Sequence, residues 1–245
     1  MTPSRERDTE IWDLSTRIFH WTLVLLVGIN LFLIGPRGGF QTIFHFVAGY
    51  AIAGLLLFRL VWGFVGSPRS RFADFLRRWP VVKGYIDRLK RFDPPHSVGH
   101  NPLGGWMIAL LLSTLAGMIA TGLFAAGRRA AGPLAASIPL PMAVILRDLH
   151  SLISDLLIAM IVVHILGVAV EWFLTGDNLV KAMVTGRKKL PAETAAREGK
   201  TAPVMAYFAE TPEGKSLLAK SPKLARWWKE MSARPSMAKT QPKLG

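Results

Sequence analysis

The sequence predicts an all-α membrane protein, a four-transmembrane-helix bundle with short interfacial helices in a cytoplasmic loop and in the C-terminal tail. Three observations predict it. Hydrophobic residues make up 51% of the 245 positions and gather in four long runs nearly free of charge, each suited to a bilayer core about 30 Å thick. Lys and Arg number 30 against 16 acids, and alternation of the spans places 25 of the 30 on one side and four on the other. There is no Cys, so disulfides, covalently attached c-type haem and iron–sulfur clusters ligated within this chain are excluded, and any cofactor must use His or carboxylates.

The first span covers about residues 18–34, just long enough if its flanking turns join in, with His20 and Trp21 at its entrance. Upstream lie four acids and three bases, and no small-residue cleavage site follows the apolar run; the segment reads as an uncleaved signal anchor. Gly35, Pro36, Gly38 and Gly39 force a tight return around Arg37. The second span, about 40–65, carries His45 near its start and Arg59 near its end.

Residues 66–102 hold eight basic side chains, three Asp and five Pro. Within them Phe72, Phe75, Leu76 and Trp79, then Val82, Tyr85, Ile86 and Leu89, recur at helical spacing opposite basic residues, which predicts two short helices on the membrane surface. The third span, about 103–124, lacks His and charge and reads as a wall of the bundle. A linker over 125–146, with Arg128, Arg129 and three Pro, leads to the fourth span at about 147–174, which carries His150 and His164.

The bundle is thus expected over 1–190 and a polar, basic tail over 191–245. In that tail Leu224, Trp227, Trp228 and Met231 form another helical stripe, read as an interfacial or partner-docking helix. The lopsided Lys and Arg count puts both termini and the long loop in the cytoplasm. A net charge of +14 therefore belongs to the membrane's cytoplasmic face, not to nucleic-acid binding.

His150 and His164 are fourteen residues apart, which places them on one helix face about 21 Å apart along the axis. Alternating spans then match depths: His20 with His164 in one leaflet, His45 with His150 in the other. The first match is looser, since His20 lies close to the start of its apolar run. Paired imidazoles from facing helices suit non-covalent haem b with both axial positions filled, which shuttles one electron and leaves no position for oxygen. Zinc fits less well, wanting about four ligands in one place. A structural role or a proton relay is the alternative for each His.

Arg59 falls fourteen residues after His45 and so shares its face. Two readings stand: contact with haem propionates, or a side chain snorkelling to the surface. Arg17, one turn before His20, has the same two. Gly49, one turn after His45, either admits a flat macrocycle or serves close helix packing. His96 and His100, among Pro and Gly, are expected in surface or loop roles.

Five stretches carry a resemblance: WDLSTRIFHW (12–21), HFVAGY (45–50), FRLVWGFVG (58–66), GHNPLGGWM (99–107), and the pair His150 and His164 followed by NLVKAMVTGRK. Together they resemble the bacterial four-helix di-haem cytochrome b family. It includes prokaryotic cytochrome b-561 proteins and the b-type cytochrome subunits of nickel–iron hydrogenases, with formate dehydrogenase membrane subunits as relatives. The likeness covers about residues 10–190.

It implies two haem b groups, one on His20 with His164 and one on His45 with His150, the pairing also reached from depth. It implies electron exchange with a membrane quinone near the cytoplasmic-side haem, with Asn101 and Gly104 as candidate quinone contacts; a helix cap at Asn101 with Pro102 in the first turn is the other reading. The expected function is electron transfer in a respiratory chain of the bacterial inner membrane, among lipid, between quinone and a redox partner such as a cytochrome c, hydrogenase or dehydrogenase. Two alternatives remain: a self-sufficient superoxide:quinone oxidoreductase, and a haem-free proton or metal transporter using the same His.

Overall fold

The computed structural model describes residues 6–32, 40–95, 97–128, 130–191, 212–223, 225, 226 and 229. Four helices are long and apolar enough to cross a membrane: α1 (Leu14–Phe32), α2 (Phe40–Val65), α5 (Pro102–Phe124) and α6 (Leu140–Thr175). Two short helices, α3 (Phe72–Phe75) and α4 (Trp79–Lys90), occupy the long loop, and α7 (Leu179–Thr185) follows α6. Strands β1 (Glu6–Glu10) and β2 (Arg187–Pro191) pair with each other. The bundle belongs to a compact unit spanning Glu10–Lys188; the other unit contains α8 (Pro212–Lys220). The Gly-rich return at 33–39, His96, Arg129 and the tail positions Leu224, Trp227, Trp228 and Met231 lie outside the described residues.

Two helix boundaries differ from expectation, each for a local reason. Helix α1 begins at Leu14 because Asp13 caps it, accepting from Thr16 N at 2.8 Å. His20 is therefore six residues, about 9 Å, inside the helix, deeper than the expected span start allowed. Helix α6 begins at Leu140, earlier than the expected 147, since Pro141 sits in the first turn, where a missing N–H costs nothing. Its 36 residues span about 54 Å, more than a bilayer core. Gly176, with φ of 75°, ends it.

The long interface joins α5 and α6, α1 packs on α2, and a narrower seam joins α2 to α5. Ile52, Leu115 and Leu157 form a buried layer with Leu23, Leu26 and Ile161 around it. Leu157 is seven residues from each His of α6, so this apolar layer separates the two ends of the bundle. A second cluster, Phe19, Leu56 and Leu112, draws in Phe72 from α3. The α5–α6 linker closes on Ala126, Ala135 and Ala143, with Ala126 N donating to Ala143 O at 2.9 Å. Most other apolar side chains of the spans point outward, as a lipid-facing surface requires.

Two polar knots hold the loop elements against the spans. Asp13 accepts from Ser67 Oγ at 2.5 Å, from Ser70 Oγ, from Thr16 Oγ1 at 2.9 Å and from Trp62 Nε1 at 3.5 Å. Burial alone would raise its pKa, but the donors Ser67, Ser70 and Thr16 outweigh it and hold the carboxyl well below the usual range. Glu171, 4% exposed near the end of α6, accepts from Tyr85 Oη at 2.7 Å and from Asn101 Nδ2 at 3.1 Å, tying α4 and α5 to α6. Burial and the adjoining Glu171 push the Tyr85 hydroxyl up.

Candidate cofactor sites at the two ends of the bundle

At one end, the rings of His45 on α2 and His150 on α6 have centroids 6.1 Å apart at 83°. That separation leaves room for one metal ion that would be held by a nitrogen of each ring. His150 is held by α5. Its Nδ1 lies 3.0 Å from Met118 O and 3.1 Å from Thr121 Oγ1. A carbonyl only accepts, so Nδ1 carries the proton and Nε2 is left with the lone pair that binds a metal. Thr121 Oγ1 itself donates to Gly117 O at 2.7 Å, leaving its oxygen to face the imidazole as acceptor. Gly122 makes the room, since a Cβ there would meet His150 Cε1 at 2.9 Å. At Gly49 a Cβ would meet nothing within 4 Å, so the space beside that glycine is open.

At the opposite end His100 lies within electrostatic reach of Arg59, His164 and His20, and His20 within reach of His164. Helix α1 is pinned there by Arg17 Nη1 donating to Val184 O at 2.7 Å and Trp21 Nε1 to Met183 O at 3.3 Å. Arg59 is 3% exposed, so it does not snorkel. Its guanidinium lies 5.2 Å from the Phe72 ring centroid and 5.6 Å from that of Phe75.

His100 corrects the expectation of a surface role. It is in the loop, but its ring lies 4.2 Å from Trp12 and 5.1 Å from Phe75, centroid to centroid. Burial, then the charges of Arg59, His164 and His20, push it down to about 3, so the ring is neutral at physiological pH. Gly105 permits this packing, because a Cβ there would run into Phe75 O at 2.3 Å. His20 Nδ1, His100 Nδ1, Arg59 Nη1 and Arg17 Nε are all sealed from solvent without a hydrogen-bond partner. Four unpartnered donor-capable nitrogens at one end are costly as they stand and suit a guest bearing carboxylates. Both ends thus fit haem b: matched rings at one, orphaned nitrogens around the His pair at the other.

Asn101 and Gly104 form the entrance of α5, with Gly104 N donating to Asn101 Oδ1 at 2.6 Å. Among the described residues no group of three or more His, Cys, Asp or Glu side chains gathers as a metal site, which leaves the two-His pairs. Sequence reading passed over Met118, Thr121 and Gly122 because α5 offers no ligand. His100 had a faint signal in its place directly before the Asn–Pro helix start, which seats it on the bundle.

Four apolar spans with imidazoles paired across them are the frame of a membrane b-type cytochrome, an electron-transfer protein. The chain belongs to the prokaryotic cytochrome b561 family, whose model matches residues 11–186. Membership sets aside the haem-free transporter. A protein of Rhizobium leguminosarum bv. viciae is 24% identical over 211 residues, covering 73% of this chain and 87% of that one. One from Azotobacter vinelandii is 29% identical over 119 residues, covering 38% of this chain. Each bears the name probable Ni/Fe-hydrogenase B-type cytochrome subunit, as does a relative from Azotobacter chroococcum mcd 1. The match spans about half the length of the two Azotobacter proteins. No solved structure matches the chain.

Proposed function

We propose that this chain carries electrons through a bacterial inner membrane, in a respiratory chain, between a quinone and a partner redox protein, using two non-covalent haem b groups. His20 and His164 hold one, His45 and His150 the other. The observation that carries this reading is the 6.1 Å approach of His45 and His150 together with the sealed, unpartnered nitrogens around His20 and His164. When bound, haem b supplies reversible one-electron chemistry.

The protein's part is to place and insulate. Met118 O keeps the proton of His150 on Nδ1. The Ile52, Leu115 and Leu157 layer excludes water between the ends. Arg59 and Arg17 offer nitrogens to propionates, and Asn101 and Gly104, beside His100 in the chain, are the proposed quinone contacts. The Lys and Arg bias supports a cytoplasmic side for both termini. A hydrogenase is the partner class suggested by the relatives' names. The superoxide reading gains nothing from Arg147, which is paired with Asp148 at 2.6 Å.

Haem extraction from the purified protein should give two haem b per chain, and His150→Ala should give one. A ratio below two in the parent, or two retained in the variant, overturns the proposal.

A further inference from the structure

The end of the bundle around His20 and His164 has more donors than acceptors. His100, Arg59 and His20 each keep a sealed nitrogen with no partner. Burying such groups unpaired costs far more than pairing them returns. The acid whose charge Arg59 feels is Asp13, but its oxygens already accept from Ser67, Ser70, Thr16 and Trp62. The Glu171 carboxylate is engaged with Tyr85 and Asn101. His100 and Arg59 share one wall, since both pack on the Phe75 ring. A ring packed against both Trp12 and Phe75 has less rotamer freedom to lose when it donates a hydrogen bond, which favours it as a preorganised donor.

We propose that His100 and Arg59 together form a carboxylate-binding site that receives a propionate of the haem held by His20 and His164. This rests on the paired-histidine reading above and adds His100 to the propionate contacts proposed there. Arg59 supplies the charge, and the clamped imidazole supplies a fixed direction for a single neutral hydrogen bond. The two act on one carboxylate, so removing either leaves the other with an incomplete partner.

The test uses the full chain, stripped of haem and reconstituted with haem b or with its dimethyl ester, in which both carboxylates are capped. Haem uptake at each site is read by absorbance, with His150→Ala identifying the signal of the His20/His164 site. At that site haem b should bind about ten- to hundredfold more tightly than the diester. His100→Phe keeps the stacking with Trp12 and Phe75 and should remove most of that preference; His100→Gln keeps a donor and should restore part of it. Uptake at the His45/His150 site, unchanged throughout, reports that the variants fold.

An undiminished preference in His100→Phe overturns the proposal. So does equal binding of haem b and diester in the parent; if added acetate then tightens both equally, the site takes a free carboxylate and not the haem's own. A parent that takes up haem at the His45/His150 site alone refutes the paired-histidine reading of this end as well, and is told apart by the missing second signal.

Discussion

The two ends of the bundle solve one problem in opposite ways. At the His45/His150 end the chain finishes the job itself: Met118 O fixes the tautomer of His150, Thr121 Oγ1 stands beside the same nitrogen, and Gly122 gives its ring a seat. At the His20/His164 end the chain leaves nitrogens of His20, His100, Arg59 and Arg17 without partners and braces the surroundings instead, through Asp13 and Glu171. One site is preorganised by internal hydrogen bonds. The other keeps open nitrogens that, on the proposed reading, a guest's carboxylates would complete. The difference teaches that a buried unpaired donor is information when several share one end, while a satisfied His speaks only through the identity of its partner.

The largest expected effect comes from filling the seat at the first end. Gly122→Leu should displace the His150 ring and abolish haem uptake there, halving the haem-to-protein ratio while the other end keeps its spectrum. Loss at both ends would mean that the two sites are not independently built.

Next, removing charge from the second end should show in its redox potential. Arg59→Gln should lower the midpoint of that haem by on the order of 50 mV, the size of one charge about 10 Å away in a medium of intermediate dielectric. The midpoint at the first end should stay put. Spectropotentiometric titration reads both, and equal shifts at the two ends would erase the contrast.

The brace at the second end makes a pH prediction. The pKa of Asp13 is depressed in the folded protein, so its contribution is fully present above the unfolded value near 3.9 and is lost as pH falls toward the folded one. Asp13→Asn should therefore lower the melting temperature near neutrality by a few degrees, consistent with a cap and several hydrogen bonds worth about 1–2 kcal/mol. The gap between parent and variant should narrow below about pH 4. A gap that stays constant down to pH 3 would show that the carboxylate's charge contributes nothing.

The smallest effect belongs to Thr121. Thr121→Val leaves Met118 O to hold the His150 proton, so haem should be retained and the midpoint at the first end should move by no more than about 30 mV, roughly the scale of one weak hydrogen bond. Thr121→Ser should move it less. A larger change would make Thr121, not the carbonyl, the group that fixes the tautomer.

Legibility in the sequence divides along the same line. Spans were readable because hydropathy length is a one-dimensional signal, and the fourteen-residue helical spacing separates His150 from His164 along α6 in the same legible way. The sequence puts the start of α6 late because Pro141 has the look of a linker residue, although Pro is well tolerated in a helix's first turn. His100 reads as a surface residue because nothing local in GHNP tells that Trp12, 88 positions earlier, will pack on it. The Thr121 and Met118 contacts escaped for a related reason: a backbone carbonyl has no residue signature, and its aim depends on how α5 and α6 are docked.

The central claim is that the paired histidines build two separate and unequal sites in one bundle. Paired spectropotentiometric titrations of His150→Ala and His164→Ala address it most directly. Each variant should retain one haem b and titrate as a single one-electron wave, with different midpoints that together account for the two waves of the parent. Both variants empty, both still holding two haems, or both giving the same midpoint would contradict it.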